Sequence, residues 1–107
     1  MSAYPAAIIS PHGKIFDGEV QSLIAPGEDG LLEILRGHTP IINLLKQGVV
    51  TIRQENQKMY FAIGAGILEV NDQHHVLLLV DFAVPAEDLA DAITQGHVDH
   101  GEVFSKS

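Results

Sequence analysis

Six histidines and the carboxylate pair Glu28-Asp29 are the residues of this 107-residue chain with chemistry to offer. His74 and His75 are neighbours at an expected strand start, so their side chains point to opposite faces and cannot chelate one metal together. His97 and His100 have the spacing of neighbouring helical positions, but they follow Gly96, where a solvated tail is the reading over a tail metal site. His12 sits in a Ser-Pro-His-Gly turn and reads as a surface histidine. His38 is bracketed at a bend by Gly37 and Pro40, where ring nitrogens that satisfy nearby backbone groups give it an architectural role. Glu28 and Asp29 occupy a turn flanked by Gly27 and Gly30, while the other carboxylates are spread over loops and the tail as solvated charge.

Catalytic constellations are absent. There is no Gly-x-x-x-x-Gly-Lys-Ser/Thr phosphate loop, no Gly-x-Ser-x-Gly elbow and no cysteine nucleophile. Gly64-Ala65-Gly66 continues as Ile67-Leu68-Glu69, which fails the dinucleotide fingerprint at its third glycine; a bulge or close backbone packing between strands is the reading. No enzymatic activity, cofactor or metal is expected.

The elements that must position these residues are short strands. Val50 and Ile52 alternate with Thr51 and Arg53, Met59, Phe61 and Ile63 alternate with Tyr60 and Ala62, and residues 54–57 form a polar connection, which makes a hairpin. Leu68 and Val70 face Val76, Leu78 and Val80 across Asn71-Asp72, which makes another. Glycine and proline punctuate the strands and no helical period precedes Val84, so the chain is expected to be all-β: an antiparallel β-sandwich or flattened barrel of about ten short strands. At Pro85 the period changes to 3.6. With Pro85 at the first helical position, Ala86, Leu89, Ala90 and Ile93 on one face and Gly96 as a stop, one helix of about three turns follows, then a polar tail. The expected organisation is a β-domain over residues 1–84 and a helix with tail over 85–107.

Composition narrows the partners. An apolar content of 46% suits one cored domain. Six basic residues against 14 acidic ones give a formal charge of −8, and no basic cluster offers a footprint for nucleic acid. The residues before Tyr4 lack a basic flank and a hydrophobic signal core, which with the missing cysteines points to a cytosolic compartment. Apolar runs reach only about five residues, far below the ~18 of a membrane span, so no direct membrane insertion is expected. A sheet with one wet face alternates strictly, yet Leu77 and Leu79 join Val76, Leu78 and Val80 in an unbroken run. Leu31-Leu32, Ile41-Ile42 and Leu44-Leu45 likewise put apolar groups on both faces. A small domain cannot cover all of this surface, and an external protein surface is the reading preferred over edge twisting and the C-terminal helix.

The stretch Pro26-Gly27-Glu28-Asp29-Gly30-Leu31-Leu32-Glu33-Ile34-Leu35-Arg36-Gly37-His38-Thr39-Pro40, with its acidic turn, strand and Gly-His-x-Pro corner, resembles the β-domain of the epsilon subunit of F-type ATP synthase. Phe16-Asp17-Gly18-Glu19-Val20 followed by Leu23 to Gly27 looks like that family's first hairpin, and Gly48-Val49-Val50, Phe61 to Val70 and Val76 to Asp81 are similar to its closing strands. The resemblance implies a non-catalytic rotor subunit that couples the c-ring and gamma subunit of a proton-translocating enzyme to ATP synthesis. It would be peripheral, on the cytoplasmic face of the bacterial cell membrane. Its partners would be the gamma subunit and the polar loops of the membrane c-ring, with the alpha and beta subunits as further candidates. The implied interface comprises Glu28, Asp29, Gly30 and Leu31 towards the ring, Arg36, Gly37, His38, Thr39 and Pro40 as a bracing corner, and Ile41, Ile42, Leu77 and Leu79 on strand faces gripping gamma. Family members usually continue into a two-helix regulatory hairpin, for which only one short helix has room here. A small ligand- or metal-binding sandwich and a homo-oligomeric structural protein are the alternatives.

Overall fold

A computed structural model describes the backbone of residues 3–100 and the side chains of residues 3–94; the expected polar tail beyond His100 lies outside them. The strands are β1 (Tyr4–Ser10), β2 (Gly13–Val20), β3 (Ser22–Gly27), β4 (Gly30–Leu35), β5 (Ile41–Leu45), β6 (Gly48–Gln54), β7 (Gln57–Ile63), β8 (Gly66–Val70), β9 (Val76–Val80) and β10 (Ala83–Ala86), followed by α1 (Leu89–His100). Hydrogen bonding runs in the order β10-β7-β6-β3-β5-β8-β9-β1-β2, with β4 on the free side of β3. The link between β3 and β5 is a single residue pair, Gly27 with Leu45. There the sheet folds on itself into two layers, β5-β8-β9-β1-β2 and β4-β3-β6-β7-β10. Pairing is antiparallel except for β1 with β9, where the chain returns to its own beginning in parallel register.

Period-two sequence explains the layers. β1 alternates buried and half-buried residues along its whole length, and β9 puts Val76, Leu78 and Val80 inward. Ile8, Leu68 and Leu78 from one layer meet Leu23, Ile52 and Phe61 from the other in one core. Each such aliphatic or aromatic side chain stabilises the fold by about 1.5–3 kcal/mol on burial. Side-chain contacts tie the layers directly, and Gln54 of β6 donates from Nε2 to the Glu19 carbonyl of β2 at 2.9 Å. Phe16 of β2 meets Phe61 of β7 edge to face at 5.9 Å, and the buried Tyr4 hydroxyl of β1 donates to the Ile34 carbonyl of β4.

Both expected hairpins form. Val50 pairs with Phe61 and Ile52 with Met59, while Leu68 pairs with Leu78 and Val70 with Val76. The 16–20 and 23–27 segments do not form one. β2 pairs with β1, and β3 pairs with β4 and β6. One residue, Gln21, separates them, and its amide donates to the Arg53 carbonyl at 2.7 Å. A single non-glycine residue turns a corner between layers but cannot reverse a strand.

The C-terminal helix also differs in detail. Pro85 lies in β10, paired with Phe61, at the sheet edge where a residue without an amide proton is tolerated. The helix starts four residues later because Asp88 caps it: its Oδ1 accepts from the Asp91 amide at 2.8 Å, and Asp91 Oδ2 accepts in return from the Glu87 amide at 3.0 Å. It continues through Gly96 to His100. Among its described side chains Ala92 is the buried one, while Leu89 and Ile93, expected on the packed face, are exposed. The helix lies across β6, β7 and β10.

Candidate interaction surface

Strand register decides which apolar residues are left in the open. Across the β5-β8-β9-β1 layer, Leu44 sits beside Ile67, Ile67 beside Leu79, and Leu79 beside Ile9. One row over, Ile42 sits beside Glu69, then Leu77, then Ala7. Their neighbours along each strand point into the core, so these two rows form the outer face. On it Ile42 is 70% exposed, Leu44 53% and Leu79 41%, with Ile9, Ile67 and Leu77 half-buried. The other layer is different. There α1 covers the outer face, and Ala62 and Ala92 are fully buried although neither belongs to the central core. One layer therefore carries its own lid, and the other presents an apolar belt.

The acidic turn and the histidine corner lie at opposite ends of β4, about 17 Å apart for a six-residue strand. At the turn, Glu28, Asp29, Gly30 and Leu31 are exposed, and Leu31 has three-quarters of its surface in solvent. The Glu28 amide donates to the Leu44 carbonyl at 2.9 Å, which fastens the turn to one end of the apolar belt. Gly30 adopts φ 135°, a value a side chain rarely accepts. A shallow cavity of about 500 Å3 adjoins it, lined by Glu28, Lys46, Gly64, Asp81 and Phe82 among others.

At the other end, Arg36, Thr39 and Pro40 are exposed and Gly37 turns the chain at φ 80°. His38 Nδ1 donates to the Thr39 carbonyl at 2.8 Å, and the His38 carbonyl accepts from His74 Nδ1 at 3.1 Å. A carbonyl only accepts, so both rings carry their proton on Nδ1. His38 thus has the architectural role read from sequence. His74 and His75 belong to the 71–75 loop, before β9 and not at its start; His74 holds φ 65°, which a strand does not allow. Ile41 packs towards the core, whereas Ile42 faces out. The proposed site residues other than Ile41 therefore form three patches, turn, corner and belt; Ile41, expected on a gripping face, turns inward because the strand's alternation puts Ile42 outside. Leu44, read from sequence only as one of a two-faced apolar pair, joins the belt together with Ile67 and Ile9, which sequence did not single out, because each belongs to it only through its cross-strand neighbours. Gly64-Ala65-Gly66 is close packing, since a Cβ on Gly66 would lie 2.0 Å from the Leu79 carbonyl oxygen.

No three His, Cys, Asp or Glu residues gather to hold a metal among the described residues, and none of the described helices is long and apolar enough to cross a membrane. Residues 4–86, the whole sandwich, match the family described as ATP synthase, Delta/Epsilon chain, beta-sandwich domain. The chain belongs to that ATP synthase family. Among its curated relatives, the ATP synthase epsilon chain of Helicobacter acinonychis is 37% identical over 99 residues, 89% of this chain and 80% of the relative. That of Xanthomonas oryzae pv. oryzae is 44% identical over 93 residues, 86% of this chain and 66% of the relative. Two solved structures share the fold. A chain of the Euglena gracilis mitochondrial ATP synthase (OSCP/F1/c-ring) superposes with TM-score 0.75 at 22% identity, covering 82% of this chain and 56% of that one. A chain from the central stalk/c-ring of the Tetrahymena thermophila mitochondrial enzyme gives 0.65 at 18% identity, covering 75% and 64%. Among ATP synthase chains, one of the epsilon type is a stalk subunit and not a catalytic one.

Proposed function

We propose that this chain is the epsilon-type rotor subunit of a proton-translocating ATP synthase, and that it works as a mechanical coupling without chemistry of its own. The observation that carries this reading is the apolar belt, Leu44–Ile67–Leu79–Ile9 with Ile42 and Leu77, on the layer that α1 leaves uncovered. The gamma subunit of the central stalk is its proposed occupant. The Glu28–Leu31 turn rests on the polar loops of the c-ring, where its carboxylates pair with cationic side chains. Because the turn and the corner are a strand's length apart, the Arg36–Pro40 corner cannot share that ring contact; it braces the stalk at the far end of the belt. The complex sits at the cytoplasmic face of a bacterial membrane, and this chain is peripheral to it. Reconstitution tests the reading: adding the chain to a matching enzyme stripped of its epsilon subunit should restore coupling of proton flow to ATP synthesis. Failure to bind either the isolated gamma subunit or the c-ring would exclude it.

A further inference from the structure

A second feature lies at the end of the sandwich away from the acidic turn. A cavity of about 590 Å3 opens between the β4–β5 corner and the β8–β9 loop, lined by Arg36, Gly37, Gln73, His74, His75 and Tyr4 among others. Among the described residues no carboxylate lines it, although the chain carries 14 acidic residues against six basic ones. A guanidinium, two imidazoles and an amide thus face one space in an otherwise acidic molecule. We propose that this cleft is a binding site for a small oxyanion, the shared chemistry of a phosphate group and a carboxylate, held by Arg36, His74 and His75.

The cleft is built, not incidental to floppy loops. Asn71 Oδ1 accepts from the amides of Gln73 and His75 at 2.9 and 3.0 Å. The His74 amide donates to the Asn71 carbonyl at 2.9 Å, and the Asn71 amide to the His75 carbonyl at 3.0 Å. This mesh holds His74 at φ 65°, the only positive value among the described non-glycine residues. Such a conformation persists where the surroundings over-determine it. The His74 ring is fixed as well: Nδ1–H is committed to the His38 carbonyl, which leaves Nε2 as the free edge. In the neutral ring Nε2 is an acceptor and repels an oxyanion; in the charged ring it is a donor with a positive charge behind it. Oxyanion binding at this site therefore strengthens as pH falls.

The other groups around the cleft do not reverse that sign. The Tyr4 hydroxyl points inward to the Ile34 carbonyl, and the His38 ring is held on the Thr39 carbonyl. Glu33, on β4, acts on Tyr4 but is not among the lining residues. Asp72, in the same loop as His74, lines a separate groove with Ile42 and Glu69. Arg36 keeps its charge throughout. The site shares Arg36 and Gly37 with the corner proposed to brace the stalk, but the whole of it lies within one chain and can be tested on the free chain.

Sulfate is the probe, since its charge does not change between pH 6 and pH 8. The full chain, labelled with 15N, is titrated with sulfate against chloride at constant ionic strength. The expected result is saturable shifts confined to residues 36–37 and 73–75, with affinity about two- to fivefold higher at pH 6 for each imidazole that gains charge. Arg36→Gln and His74→Asn should each lose the response; asparagine tolerates positive φ, so the 71–75 amide pattern should persist in the second variant. A parallel acetate titration separates the sources: response to sulfate alone assigns a phosphate-type ligand, and response to both extends the site to carboxylate side chains. Shifts spread evenly over Lys14, Lys46, Arg53 and Lys58, equal affinity at the two pH values, or unaltered binding by both variants would overturn the proposal.

Discussion

Replacing Ile42, Leu44 and Leu79 together by threonine isolates the apolar belt from the fold that carries it. The three side chains are 70%, 53% and 41% exposed, so about one and a half side-chain equivalents are still in water and available to a partner. At about 1.5–3 kcal/mol for full burial of one aliphatic side chain, docking gains at most ~2–5 kcal/mol from them. Loss of that gain weakens the complex with the gamma subunit about 30- to 3,000-fold. The fold loses little, since threonine suits a strand and surface changes cost only about 0.5 kcal/mol each. Isothermal titration against purified gamma subunit measures the first quantity, and urea denaturation of the free chain the second. A Kd within about threefold of the parent, with an intact fold, would refute the assignment of the belt to the stalk.

Glu28→Lys with Asp29→Lys should weaken association with the c-ring at low salt by about 0.2–1 kcal/mol per exposed pair, with the effect fading as salt is added; unchanged binding of reconstituted rotor at low ionic strength would return the turn to plain solvent exposure. Tyr4→Phe removes the buried hydroxyl that joins β1 to β4 and leaves the Ile34 carbonyl one donor short, for a loss of about 1–3 kcal/mol in denaturant unfolding. Burial, and secondarily the Glu33 charge, push the Tyr4 phenol well above its ordinary range, so its contribution is fully present below the unfolded value near 10 and declines as pH rises beyond it. The same variant should flatten the alkaline limb of the stability profile. Asp88→Ala opens the reciprocal cap of α1 at a cost of about 1 kcal/mol, which hydrogen exchange should detect in the helix while the sandwich amides stay protected.

Local chemistry made the strands legible. Alternation in 50–53, 59–63 and 68–70 fixes which side of those strands is apolar, and the hairpins formed in register because polar or turn-forming residues separate their strands. The acidic turn and the Gly-His-x-Pro corner are set by glycines at φ 135° and 80°, a preference carried by the residue itself. The helix after Val84 was visible, but not its start: proline suits both a first helical turn and an edge strand, and pairing of Pro85 with Phe61 chose between them.

Tertiary structure decided what lies beside what. Apolar pairs such as Leu44-Leu45 announce that both faces are greasy but not which face meets a neighbour. Only the register of β5 on β8, β8 on β9 and β9 on β1 lines up Leu44, Ile67, Leu79 and Ile9. Likewise, α1 covers one layer and not the other because Ala92 packs tightly there, leaving Leu89 and Ile93 outside. The turn and corner, 28–31 and 36–40, are close in sequence yet a strand apart in space, while His38 and His74 are distant in sequence and hydrogen-bonded. Turn preference and side-chain period act over a few residues and can be read along a chain; cross-strand register and covered area arise from contacts between segments far apart in it, and exist only once the sheet has closed.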